Sequence, residues 1–278
     1  MNNRSIKEVI SFWETNPLFT GESKHLPGTK EFFTEHRNTI IQDNRSGYIP
    51  NHIYFPRLSP EANVADLGCG PGFWVNEMKR QGKYRNLYAC DITRHAINLT
   101  AERLRLNGYQ AHLSVQNIEN LAFESDFFDL VNCQGVIHHT PNTQKALEEI
   151  HRILKPGGVA NISIYYKNVI LNFWSMLSVI GKTLGYIGAK LPGRGRENIF
   201  FENDVEEIVR LYDGKDNPIG KVYSKAEFEK MCDPMFHIVN EMQYLFPVRV
   251  FPFSIPKNIH RFLANHLGFM MNFHMVKI

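Results

Sequence analysis

The stretch Val64-Ala65-Asp66-Leu67-Gly68-Cys69-Gly70-Pro71-Gly72 decides how the rest of the chain is read. An apolar run carrying one acid ends in three closely spaced glycines, and Phe73-Trp74-Val75 then opens a helical pattern. This is a strand turning sharply into a helix. Glycines at such a turn let the backbone approach a ligand with no Cβ in the way. The helix that follows offers free N–H groups to an anion, and Asp66, at the strand end, is placed to meet a positive charge on the same ligand.

Two ligand classes use such a loop. The dinucleotide fingerprint G-x-G-x-x-G/A wants a small residue at position 73, so that helix packs on strand. Phe73 stands there, and an acid precedes the first glycine by two residues. Both features disfavour NAD and favour S-adenosylmethionine (SAM), whose methionine end carries a carboxylate and an ammonium. Asp91 closes the run Arg85-Asn86-Leu87-Tyr88-Ala89-Cys90-Asp91, about 20 residues beyond the glycines, where an acid can take both ribose hydroxyls of an adenosine. Asp91 can equally cap the helix that opens near Thr93; the two roles are compatible.

Outward from the loop, residues 62–166 alternate strands and helices with short turns. NVADLG, RNLYACD, QAHLSV, FFDLVNCQ and GGVANISIYY read as strands. GFWVNEMKRQG, TRHAINLTAERLRLNG and NTQKALEEIHRILK read as helices, the last ended by Pro156-Gly157-Gly158. Such alternation means βαβ units and a parallel sheet. FHIVNEMQYL and GFMMNFHMVKI add two strands around the helix IPKNIHRFLANHLG, while SKAEFEKMC begins with a capping box. The expectation is an α/β, Rossmann-like, doubly wound, seven-stranded and mostly parallel sheet. Residues 1–58 form an N-terminal helical cap, 59–166 the SAM-binding core, 167–222 an insertion after the fifth strand, and 223–278 the completion of the sheet.

The successive segments VADLGCGPG, ACDIT, NIENLAFESDFFDLV, QGVIHHTPN and EEIHRILKPGG resemble, in unbroken order, the motifs of the class I SAM-dependent methyltransferases, in their ubiquinone-biosynthesis-type small-molecule branch. The resemblance covers about 105 of the 278 residues. It implies SAM as methyl donor and S-adenosylhomocysteine as product. It also implies that Asp66, Gly68 and Gly70 cradle the methionine moiety, that Asp91 holds the ribose with Ile92 beside the adenine, and that Gln134 lies beside the donor. One position departs: Asn117 stands where the family often has an Asp contacting the adenine amino group. An amide oxygen can still accept that hydrogen bond, with Ile118 packing on the ring.

His138-His139 follow the fourth strand and would face the methyl group. Methyl transfer is an in-line displacement, so much of its catalysis comes from alignment. A base is needed only where the acceptor must lose a proton, and histidine suits that task; alternatively the pair only shapes its loop. Tyr165-Tyr166 end the fifth strand, Tyr165 being a candidate catalytic contact with ordinary aromatic packing as the alternative. Phe12-Trp13 and Phe32-Phe33 either cover the donor from the cap or form plain core.

From Lys167 to Arg196 the charged residues are Lys167, Lys182, Lys190, Arg194 and Arg196, with no acid among them. An apolar stretch lies between the first two. The segment reads as a lid over an apolar acceptor, a helix lying on an anionic membrane surface, or a packed insertion; it is too apolar for a dedicated phosphate-binding face.

A net charge of +3 is too mild to imply nucleic acid. The cysteines Cys69, Cys90, Cys133 and Cys232 form no C-x-x-C pair and no zinc-like grouping, so no metal is expected and a reducing compartment is. The N-terminus lacks a signal-peptide pattern and no apolar run reaches the roughly 20 residues of a spanning helix, which makes a cytoplasmic location, with peripheral membrane contact through 167–196, the expectation. The function expected is methyl transfer to a small, hydrophobic metabolite. The alternatives are a tRNA-modifying methyltransferase or a non-catalytic SAM-binding scaffold or sensor. No sequence feature specifies an oligomeric state.

Overall fold

The computed structural model describes residues 4–82, 84–186, 201–248 and 254–278. At its centre β1 (Asn63–Leu67) pairs in parallel with β2 (Asn86–Asp91) on one side and β4 (Phe128–Gln134) on the other. β3 (His112–Val115) extends the first side and β5 (Leu154–Tyr165) the second, both parallel. β7 (Met270–Lys277) runs antiparallel between β5 and β6 (Phe236–Tyr244). The order β3-β2-β1-β4-β5-β7-β6 is the expected seven-stranded Rossmann-like sheet. Its direction of winding reverses between β1 and β4, the point at which such sheets leave a crevice for ligand.

Parallel strands are stable only with both faces covered, and the helices α1 (Ile6–Thr15), α2 (Lys30–Asn38), α3 (Asn51–Tyr54), α4 (Phe73–Glu77), α5 (Arg94–Leu106) and α6 (Thr143–Ile153) supply much of the cover. α6 starts at Asn142, whose side chain accepts from the Lys145 N–H, and buries Ala146, Leu147, Ile150 and Ile153 completely. Each of the three larger side chains contributes roughly 1.5–3 kcal/mol by leaving water. The structure corrects one boundary. The helix expected to run to Lys155 ends at Ile153: β5 begins at Leu154, directly after α6, and Pro156-Gly157-Gly158 absorb a register shift against β4.

The cap is bound to the core by polar as well as apolar contacts. Glu77 of α4 is fully buried and takes Arg37 of α2 at 2.7 Å and Arg80 at 2.6 Å. Burial alone would raise its pKa, but hydrogen bonds from Arg37, Arg80 and Gln81 hold it below the usual carboxylate range. Arg103 of α5 is also buried and donates to the Phe33 carbonyl at 2.9 Å. Phe32 and Phe33 pack with Phe19 and Leu99 in a satellite core, so that pair is packing and does not face the crevice.

The insertion holds α7 (Val169–Asn172), α8 (Trp174–Tyr186) and α9 (Val205–Tyr212); α10 (Lys225–Cys232) and α11 (Lys257–Leu267) belong to the final segment. α8 turns Met176, Val179 and Ile180 to solvent, 73%, 67% and 58% exposed, and buries the small residues Ser178 and Gly181. Among the described residues no helix is long and apolar enough to cross a membrane. Lys190, Arg194 and Arg196 lie outside the described residues.

Candidate active site

A cavity of about 270 Å³ opens at the carboxyl ends of β1, β2 and β4, where the sheet order reverses. Ile6, Val9 and Trp13 of α1 line it, as do Tyr212 and Asp213 at the end of α9. No residue from 167 to 186 does, so the part of the insertion expected as a lid, as far as it is described, lies away from the cavity.

The three glycines of the loop have different reasons to be glycine. Gly68 has φ +70° and an added Cβ would stand 2.3 Å from the Val136 Cγ2. Gly72, at φ +73°, would bring a Cβ to 2.8 Å from the Thr100 Oγ1 and 3.1 Å from its Cα. A Cβ at Gly70 would meet only Leu18, at 4.0 Å; this glycine leaves backbone bare to the cavity.

Asp91 lines the cavity and organises it. One oxygen accepts the Gly70 N–H at 3.0 Å; the other accepts the Thr93 N–H at 3.0 Å and its hydroxyl at 2.9 Å. Burial raises its pKa, while the backbone N–H groups oppose the rise. The cap of α5 is Thr93, not Asp91, which sits two residues upstream. Ile92 and Ile118 line the same end of the cavity.

Two expected residues stand off the wall. Asn117 turns its amide oxygen to the Glu119 N–H at 3.0 Å in a local turn, and its neighbours Gln116 and Ile118 line the cavity in its place. Asp66, 1% exposed, accepts from the Asn132 amide at 2.7 Å, leaving the second Asp66 oxygen and the Asn132 Oδ1 without partners. Burial, with Asp91 nearby, pushes Asp66 up to about 7. Buried acceptors of this kind call for a proton donor. The bare backbone at Gly70, open to an anionic group, and the carboxylate of Asp91, open to hydroxyls, suit a ligand with a carboxylate and a ribose, so the residues on the wall fit SAM.

At the other end Gln134 is fully engaged: its NH₂ donates to the Asn161 carbonyl at 3.0 Å and to the Asn272 Oδ1 at 2.8 Å, and its oxygen accepts from Arg45 at 3.0 Å. The two histidines have parted roles. His139 places Nδ1 2.7 Å from the Ile219 carbonyl and Nε2 3.3 Å from Asp213, which also accepts from the Tyr165 hydroxyl at 2.7 Å. Trp13 closes over it edge-on. His138, 1% exposed, packs edge-on against His139 and tilted against Tyr165, with its Nδ1 unpartnered. Burial, then His139 and Lys221, push its pKa well below the ordinary histidine range, so its ring is neutral. Tyr165 lines the cavity, whereas Tyr166 bridges to Tyr223 outside it. Asp213 and Arg45 carry no sequence signal: each follows the end of a helix, and Asp213 lies far along the chain from His139 and Tyr165 as Arg45 does from Gln134.

The sheet order and the crevice at the β1–β4 reversal define a class I, Rossmann-like methyltransferase fold. Comparison with known proteins gives the same class. Residues 65–162 match the family model described as a methyltransferase domain. The ubiquinone/menaquinone biosynthesis C-methyltransferase of Vibrio parahaemolyticus is 30% identical over 141 residues, 47% of this chain and 54% of that protein. A tRNA N(3)-cytidine methyltransferase of Danio rerio is 25% identical over 171 residues, 59% of this chain and 48% of that one. A SAM-dependent methyltransferase structure from Methanosarcina mazei superposes with a TM-score of 0.53 at 18% identity, covering 79% of this chain and 93% of that one, a likeness of fold. The chain spans about half the length of the curated relatives it matches. Residues 65–162 thus form a class I SAM-dependent methyltransferase domain, similar in sequence to the ubiquinone/menaquinone biosynthesis C-methyltransferases.

Proposed function

We propose that the chain transfers the methyl group of SAM to a small, hydrophobic acceptor, at a carbon or another nucleophilic atom. The observation that carries this reading is the single cavity running from Asp91 and Ile118 past Gly70 to His138 and Tyr165. One end suits the ribose and adenine, the other an apolar acceptor. The Vibrio relative, named for ubiquinone and menaquinone biosynthesis, supports an acceptor of that character.

Bound SAM supplies an electrophilic methyl on a sulfonium. The protein's part is alignment and exclusion of water: Asp91 and the glycine loop fix the donor, and α1 with the Tyr212-Asp213 turn covers the site. His138, neutral and facing the cavity, can take a proton from the acceptor. His139 cannot readily do so, since both of its nitrogens already face oxygens; it positions Tyr165 through Asp213.

The outward face of α8, with Lys182 and no acid on the helix, supports contact with an anionic lipid surface, from which a lipid-soluble acceptor could be drawn. The Danio rerio relative favours a second reading, methylation of tRNA. S-adenosylhomocysteine release, measured with the host's metabolite extract or with its tRNA and followed by mass analysis of the product, separates the two. Release with neither, despite SAM binding, would leave a scaffold or sensor.

A further inference from the structure

We infer that Arg45 is the carboxylate receptor of this cavity, an inference that rests on reading the cavity as the donor and acceptor site. The cap delivers this side chain by an unusual route. α2 runs on into a wide π turn, Thr39–Asn44, closed by the Arg45 N–H on the Ile40 carbonyl at 3.0 Å. Such turns recur at functional sites. Arg45 is 5% exposed and lines the cavity, yet it forms no ion pair with any described carboxylate. A buried guanidinium without a counter-ion is costly.

The protein offsets that cost with aromatic faces and neutral acceptors. The guanidinium lies 3.5 Å from the centre of the Tyr244 ring, with Tyr54 at 4.9 Å and Trp74 at 5.4 Å. It donates to the Tyr54 hydroxyl at 2.7 Å and to the Gln134 oxygen at 3.0 Å. A guanidinium has five N–H groups in a planar fork, so three remain without a protein partner. Three acids line the same cavity and none is ion-paired with Arg45: Glu22, Asp91, which is committed to Gly70 and Thr93, and Asp213, which is committed to His139 and Tyr165. A caged, oriented and unneutralised fork matches a carboxylate, which it can hold by two parallel bonds. Gln134, locked to Asn161 and Asn272, fixes the fork in place.

Two molecules could bring that carboxylate, the donor through its methionine end or the acceptor. Calorimetry with SAM and with decarboxylated SAM distinguishes them in the unmodified protein. If the donor supplies it, decarboxylated SAM binds at least tenfold more weakly. Arg45→Met then weakens SAM by a similar factor and leaves the decarboxylated compound unchanged. If the acceptor supplies it, both donors bind alike, and the protein loaded with S-adenosylhomocysteine binds benzoate or decanoate but not their methyl esters. Equal binding of the two donors, together with no preference for acid over ester, overturns the inference. Should Arg45→Met misfold, Arg45→Lys serves in its place: it keeps the charge but not the planar fork, and the preference for the acid form is expected to fall with it, whereas an unchanged preference overturns the inference. A protein that binds neither donor would remove the methyltransferase reading instead, and the acid–ester comparison on the unliganded protein would decide Arg45 alone.

Discussion

Asp91 ties the glycine loop to the start of α5 and still faces the cavity, so its loss should be felt twice. Asp91→Ala is expected to weaken SAM by about tenfold or more, since a charge-assisted acceptor for the ribose and the Gly70 anchor go together; titration calorimetry reads this, and undiminished affinity would remove the assignment. Asn117→Asp should change little, because that side chain turns into its own loop. The histidines separate cleanly. His138→Ala is expected to lower kcat by about 10²-fold or more, the scale of a general base, with SAM affinity unchanged. Its depressed pKa sets the sign of the pH profile: the neutral ring persists below the ordinary histidine range, so the rate stays flat through neutrality and falls only as pH drops through that lower pKa. A His138→Ala enzyme near wild-type rate would leave the ring structural.

Among the elements, α8 and α1 exchange the parts expected from the sequence. The apolar insertion reads as a cover for the acceptor, but α8 spends its large side chains on solvent, and it is Trp13 of α1 that closes over His139. If the outward face of α8 meets lipid, the protein should bind anionic vesicles, less so as salt rises, and Met176→Glu with Lys182→Glu should abolish that binding. A sedimentation assay that finds no binding at low salt would reduce α8 to an exposed packed helix. Both substitutions lie at the surface, away from the cavity, so SAM affinity should be retained in the variant.

In the molecule as a whole, the cavity sits between the sheet and two segments far apart in the chain, α1 and the Tyr212-Asp213 turn. Segments that cover a ligand site move as ligand comes and goes, and such segments fall at the less stable end of a fold. S-adenosylhomocysteine should therefore slow amide exchange in residues 6–15 and around 212–213, and leave 174–186 unchanged. Protection confined to 174–186 would return the lid to the insertion. The buried Glu77 links the cap to α4 below the loop, and removing one partner of such a pair typically costs several kcal/mol.

The sequence by itself determined the sheet, its winding and the presence of the glycine loop and Asp91 at the crevice. Those depend on local rules: glycines where strand becomes helix, period-two and 3.6 patterns, caps, and an acid at a set distance along one βαβ unit. The sequence offered His138, His139 and Tyr165 as candidates at the other end, but tertiary structure alone decided what surrounds them. Arg45 comes from the cap, Asp213 from the insertion, Tyr244 from β6 and His138 from the turn after β4, and no spacing connects them. Their meaning lies in contacts between segments more than 40 residues apart, as in the 48-residue separation of Tyr165 and Asp213. Tertiary contacts also took Asn117 off the cavity wall, where the motif alone had it, by giving its amide oxygen a nearer N–H at Glu119. That His138 is held neutral was likewise beyond the sequence, because burial, with His139 and Lys221 nearby, sets it.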